Sequence, residues 1–175
     1  MSTTPEIVIR PFVETDAPRV RALFVGVNRL LVPPHLREAF EAYIELSLRE
    51  EIDRIPDYYA ARDGGFWVAL DGATIVGMFG LEAAAGGAIE LRRMYVDPAA
   101  RRRGVARKML RFAEDECRRR GAPTLELSTS ELQGEALALY RNAGYRLVRE
   151  EIARDASNKT LGGGLRRYYF EKTLG

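Results

Sequence analysis

Cysteine and histidine are almost missing from this chain of 175 residues: it holds one of each, Cys117 and His35. A single cysteine excludes a disulfide framework and a CxxC metal site. A single histidine excludes a histidine-built metal centre, so no metal is expected. It also excludes a Ser-His or Cys-His nucleophile, unless His35 alone serves as the base. Charge of one sign is scarce too. Lys+Arg number 27 and Asp+Glu 25, for a net charge of +2, less basic than a dedicated DNA-binding domain. No apolar run approaches the length that spans a bilayer. The opening "MSTTPEIVIRPF" has neither the basic start nor the apolar stretch of a signal peptide. The expected compartment is therefore the cytoplasm, with no membrane or nucleic-acid partner.

What is present reads as globular: 46% hydrophobic and 30% charged residues. The length suits one domain over residues 1–175, with a core from about 7 to 173 and no internal repeat or linker. "EIVIRPF" (6–12) reads as a first strand stopped by Pro11. Thr15 and Asp16 are cap candidates for a helix over 17–31, where Val20, Leu23, Phe24, Val27, Leu30 and Leu31 recur at helical spacing. After "PP" at 33–34 a second helix is expected over 35–54. Two apolar runs, "GFWVAL" and "ATIVGMFGL", flank Asp71-Gly72 and read as a hairpin. "AIELRRMYV" (88–96) is a further strand ended by "DP". A helix to about 120, a strand at 124–130 and a short helix at 134–144 follow. Strands at 145–151 and 165–174 close the chain, joined by the loop "ASNKTLGGG". The expected fold class is α/β: a mixed sheet of six to seven mostly antiparallel strands flanked by about four helices.

The stretch "DPAARRRGVARKML" (97–110) packs four arginines and a lysine into residues 101–108. Beyond it, Val105, Met109, Phe112, Ala113 and Cys117 form one apolar stripe, with Arg107, Lys108, Arg111, Glu114, Asp115 and Arg118 opposite. The helix thus begins near Gly104, and the arginines stand at its positive end, where an anion resolves the electrostatic conflict. Free backbone N–H groups suit a phosphate, and Gly104 and Ala106 let it approach the main chain. Solvated arginines are the plainer account of such a run. A nucleic-acid patch is a third, but no aromatic residue interleaves it.

Placed between a strand and an amphipathic helix, Arg101-Arg102-Arg103-Gly104-Val105-Ala106 resembles the acetyl-CoA signature Q/R-x-x-G-x-G/A of the GNAT superfamily (Gcn5-related N-acetyltransferases). "QGEALALYRNAGYRLV" resembles the family's later segment N-x-x-A-x-x-L-Y-x-x-x-G-F through Ala136, Leu139, Tyr140, Gly144 and Tyr145. Ala106 replaces the usual last glycine, and Gln133 stands where asparagine is frequent. The resemblance covers nearly the whole chain and implies a GNAT-like fold using acetyl-CoA as co-substrate. It implies that the N–H groups of Arg103 to Ala106 hold the pyrophosphate, that Arg101, Arg102 and Gln133 border it, and that the main chain of Met94, Tyr95 and Val96 pairs with the pantetheine arm. An N–H at Met94 or Tyr95 would polarise the thioester carbonyl. Tyr140 matches the tyrosine that protonates the departing thiolate, or it packs as a core residue of its short helix. Glu90 stands where the histone-acetylating branch has a glutamate. It serves as base for the amine, or it pairs with Arg92, its same-face neighbour.

For the acceptor, Arg92 and Arg93 are the candidates, one facing each side of their strand. An inward arginine favours a carboxylate-bearing acceptor. The expected reaction moves an acetyl group to a primary amine of a small molecule, an amino acid or amino-acid conjugate, by direct attack in a ternary complex. Two alternatives stand beside it, a non-catalytic acyl-CoA sensor and acetylation of a protein amine. A homodimer is compatible with the last strands of such a sheet.

Overall fold

A computed structural model describes residues 6–175 of the chain. One seven-stranded sheet runs through it in the order β1-β2-β3-β4-β5-β7-β6. The strands are β1 (Ile7–Pro11), β2 (Gly65–Asp71), β3 (Thr74–Ala83), β4 (Ile89–Val96), β5 (Thr124–Ser130), β6 (Arg146–Ala153) and β7 (Leu165–Thr173). All neighbours are antiparallel except β4 and β5. The helices are α1 (Ala17–Leu31), α2 (Arg37–Glu50), α3 (Ile55–Ala60), α4 (Val105–Arg119) and α5 (Gly134–Asn142). This is the expected mixed α/β architecture.

Strand alternation divides the core into two layers. On β2, Trp67 and Ala69 join Phe79, Leu81, Met109, Leu125 and Phe170 beneath α4 and α5. Phe66 and Val68 join Val20, Phe24, Ile44, Tyr59 and Met78 beneath α1, α2 and α3. Gly80 is required on β3, because a Cβ there would stand 2.4 Å from the Tyr59 hydroxyl. The hairpin turns at Gly72, whose φ of 61° is the left-handed conformation glycine tolerates.

Four local expectations need correction. Residues 35–54 do not form one helix: α2 ends at Glu50, the chain kinks at Glu51 (φ −137°), and α3 starts afresh with Pro56 in its first turn. Leu30 is exposed, and Asn28 is buried instead, donating to the Phe24 carbonyl (2.8 Å). Asp16 precedes α1 but does not cap it. Its carboxylate accepts from Arg10 (2.7 Å) and from the Val13 N–H (2.9 Å). Glu114 is not on the solvent face of α4. It is buried against Lys172 Nζ (2.7 Å) and the Tyr145 hydroxyl (3.3 Å), at the margin of an apolar stripe wider than the spacing of five residues indicated.

Candidate active site

β4 and β5 pair only from Ile89↔Leu125 to Leu91↔Leu127, and then part. Beyond Leu91, β4 has no partner on that side, and a cleft of about 740 Å³ opens between the strand ends. Its walls include Met94, Tyr95 and Val96 of β4, the start of α4, and Gln133 and Tyr140.

The turn at the mouth of α4 is built by backbone conformation. Asp97 caps a 3₁₀ turn by accepting from the Ala99 N–H (2.9 Å), and Arg19 of α1 holds the same carboxylate (2.5 Å). Arg102 (φ 64°) and Gly104 (φ 75°) are both left-handed. The first amide to close a helical bond is that of Lys108, onto the Gly104 carbonyl (3.0 Å). The amides of the preceding turn have no helical partner. No acidic residue lies in that first turn, and a Cβ on Gly104 would meet nothing within 4 Å. Free N–H groups, a positive helix end and an unobstructed approach together suit a phosphate. The side chains do less than the run of arginines suggests. Arg103 turns away to Asp71 (2.6 Å) and does not line the cleft, and Arg101 lies 3.8 Å from Glu135. Arg101, Arg102, Gly104, Val105, Ala106 and Arg107 do line it.

Tyr140 joins this cleft to a second, narrower pocket of about 100 Å³. Its ring packs on Tyr145 and Phe170, at centroid distances of 5.9 and 6.1 Å. Burial raises the Tyr140 phenol well above its ordinary value, with Tyr95 adding to it. The hydroxyl therefore keeps its proton at any neutral pH. Met94 and Tyr95 also line both spaces. Gln133 accepts from the Thr129 hydroxyl at the entrance to α5.

The narrow pocket rests on an ionic cluster that was not visible in the sequence. Pairing along β3–β4 jumps from Met78↔Tyr95 to Gly80↔Arg92, a bulge in which Arg93 takes a φ of 55°. Strict alternation would set Arg92 and Arg93 on opposite faces. The bulge turns both to the same side, where both are buried. Glu51, fully buried at the kink after α2, binds the pair. It accepts from Arg93 Nε (3.0 Å) and lies 3.0 Å from Arg92 Nη2. Tyr59 donates to the same carboxylate (2.9 Å), Arg93 donates to the Tyr43 hydroxyl (2.8 Å), and Glu82 stands 3.5 Å from Arg92. The Asn158 carbonyl accepts from both arginines. Burial pushes the Glu51 carboxyl up, but the charges of Arg93 and Arg92 outweigh it and hold it below the usual carboxylate range.

Glu90 is not paired with Arg92. It is bound by Lys159 (2.9 Å), which also lies 3.3 Å from Glu82. Both Glu90 and Lys159 line the narrow pocket and a further cavity of about 630 Å³ over β5, β7 and β6. Sequence reasoning missed Glu51, Asn158 and Arg167, because each sits in a charged or polar run that reads as solvated surface, and Glu82, a lone charge in the apolar run of β3. The two single residues are marginal here: Cys117 is buried, and burial lifts its thiol to about 11, while His35 lies exposed before α2. Among the described residues no cluster of three or more metal-ligating side chains occurs, and no helix is long and apolar enough to cross a membrane.

The family model described as "Acetyltransferase (GNAT) family" matches residues 32–145. An IAA acetyltransferase of Azospirillum brasilense is 35% identical over 115 residues, covering 57% of this chain and 75% of that protein. The human N-acetylaspartate synthetase is 32% identical over 116 residues, covering 63% of this chain and 37% of that protein. The chain spans about half the length of other curated relatives it matches. Among solved structures, a GNAT-family acetyltransferase of Staphylococcus aureus Mu50 superposes with a TM-score of 0.74 at 17% identity, covering 97% of this chain and 100% of that one. The Salmonella typhimurium protein yncA, solved with its cofactor acetyl-CoA, gives a TM-score of 0.68 at 17% identity, covering 97% and 94%. At these identities the structural likeness establishes the fold.

Proposed function

The chain belongs to the GNAT acetyltransferase family, and from that premise we propose that it is an N-acetyltransferase that moves an acetyl group from acetyl-CoA to a primary amine of a small molecule, an amino acid or amino-acid conjugate. The observation that carries this reading is the continuity of the 740 Å³ cleft with the narrow pocket through Met94, Tyr95 and Tyr140. One end of this path is a helix N-terminus open to phosphate. The other is enclosed by ionisable side chains.

Acetyl-CoA supplies an acetyl thioester, which a neutral amine can attack directly. The main-chain N–H groups of Gly104, Val105 and Ala106 receive its pyrophosphate, with Arg101, Arg102 and Arg107 around them. The free length of β4 at Met94 to Val96 offers backbone groups to the pantetheine arm as a further strand would, and an N–H there stabilises the thioester oxygen as it gains charge. Tyr140, kept protonated by its burial, is the group that can donate to the departing sulfur. Glu90 borders the path by which the acceptor arrives. It is ion-paired with Lys159, and its carboxylate is the group placed to take the amine proton, directly or through water. The relatives support the acetyltransferase class: one is an IAA acetyltransferase, another an N-acetylaspartate synthetase.

Calorimetric titration tests the reading, with acetyl-CoA set beside adenosine 3′,5′-bisphosphate and an unrelated oligonucleotide. Micromolar acetyl-CoA binding, weaker bisphosphate binding and none for the oligonucleotide are expected. Failure to bind acetyl-CoA, or a steep salt dependence of oligonucleotide binding, would overturn it.

A further inference from the structure

The narrow pocket does not end at the ionic cluster. It shares Glu90, Ser128, Lys159, Thr160 and Arg167 with the 630 Å³ cavity beyond. Cleft, narrow pocket and outer cavity thus form one path across the sheet, and Arg167 stands where the last two meet. Five cations line the pocket and the outer cavity: Arg92, Arg93, Arg149, Lys159 and Arg167. Four of them are neutralised. Glu51 and Glu82 hold Arg92, Glu51 holds Arg93, Glu151 stands 3.7 Å from Arg149, and Glu90 and Glu82 hold Lys159. Arg167 has no carboxylate partner among the described residues. Its guanidinium donates one bond, from Nη2 to the Ser128 hydroxyl (2.8 Å). Guanidinium carries five N–H donors in a planar fork that matches a carboxylate.

Resting on the acetyltransferase reading above, we infer that Arg167 receives the carboxylate of the acceptor, which makes the acceptor an amine that also bears a free carboxylate. The arginines beside the acyl site cannot do this, because their charge is already met by Glu51 and Glu82. Arg167 lies on β7 opposite Ser130 of β5, and its reach to Ser128 points the guanidinium along the sheet face shared by the two cavities. An acceptor bound there presents its amine toward the narrow pocket and keeps its remaining substituent in the outer cavity. Ser128 sets the fork's orientation, and Asn158, Lys159 and Thr160 line the same pocket beside it.

The test compares matched pairs of amino acids and their carboxamides as acceptors, with acetyl-CoA affinity measured on the same protein. The wild type is expected to favour each acid over its amide by about ten- to a hundredfold in kcat/KM, the effect of one charge-assisted pair. Arg167→Met should bring that ratio close to one by raising KM for the acid, and Arg167→Lys should restore part of it. Acetyl-CoA affinity within about twofold of wild type verifies that each variant is folded. Equal use of acid and amide by the wild type, a preference that survives in Arg167→Met, or no turnover of either member with acetyl-CoA bound would overturn the inference and leave acetyl-CoA binding standing. Loss of acetyl-CoA binding by the wild type itself would overturn the acetyltransferase reading instead.

Discussion

The two ends of the path are built in opposite ways. At the mouth of α4 the chain makes its site from backbone: two left-handed residues, a glycine with open space around it, and amides with no helical partner. The arginines there are exposed, and one of them points elsewhere. At the narrow pocket the site is made from groups that distant segments bring together: the side chains of Glu51 and Tyr59, of Tyr43, and of Arg92 with Arg93, and the Asn158 carbonyl. A backbone site needs only the right local sequence and tolerates loss of side chains. A buried ionic site needs every partner, because each charge left alone keeps its full desolvation cost.

The sharpest way to break this contrast is to remove the carboxylate at the centre of the ionic end. Glu51→Ala leaves two buried guanidinium groups without their shared counter-charge and should cost about 3–5 kcal/mol of stability, read from denaturant unfolding. A change under about 1 kcal/mol would mean that water or Glu82 replaces Glu51. At the backbone end, Gly104→Glu should lower acetyl-CoA affinity by more than about a hundredfold, since a side chain and a negative charge enter the anion's place. Because the position is left-handed but open, stability should fall by only about 1–2 kcal/mol. Calorimetry and unfolding on one preparation separate the two effects, and retained affinity would remove the phosphate site from this turn.

Tyr140→Phe lies at the junction. It should lower kcat by about a hundredfold while leaving acetyl-CoA affinity and the unfolding midpoint unchanged, because the hydroxyl has no protein partner to lose among the described residues. An unchanged kcat would leave the ring as packing only.

Acid should separate the two ends as well. The Glu51 carboxyl is held below its unfolded value, so its stabilisation is complete above that value, about pH 4.3, and is lost as pH falls through the lower folded one. Stability should therefore hold from pH 7 to about 5 and drop below about pH 4. Glu51→Gln should flatten that drop, and an unaltered acid slope would assign it to other carboxylates such as Asp16, which Arg10 holds low. The smallest effect belongs to Arg103→Ala. Its ion pair with Asp71 is at the surface, and acetyl-CoA affinity should stay within about twofold.

The difference in construction also explains what could be read in advance. Strand and helix order, the hairpin at Gly72 and the start of α4 at Val105 follow from periodicity and turn chemistry, which act between near neighbours. So does the turn at residues 101–106. The break between α2 and α3 escaped detection because Glu51 and Asp53 look like ordinary helical surface charges, and their role depends on what β4 brings opposite. Arg92 and Arg93 were recognised as important but placed on opposite faces, since strict alternation holds only where no bulge interrupts the strand. The alternative to Glu90 as base was a pairing with Arg92, but the loop contributes Lys159 to it from 69 residues away.

By itself the sequence determined a mixed α/β sheet, a glycine-bearing turn before α4 and a tyrosine two turns into α5. These features come from local conformational preference, which a short segment carries wherever it is placed. Only the tertiary structure decided which charges neutralise one another. Arg92 and Arg93 carry the same charge as Arg167 in the sequence, yet folding buries the first two around Glu51 and leaves the third facing a cavity. Coulomb attraction and desolvation depend on distance and burial, and both are set by segments that meet only in the folded chain.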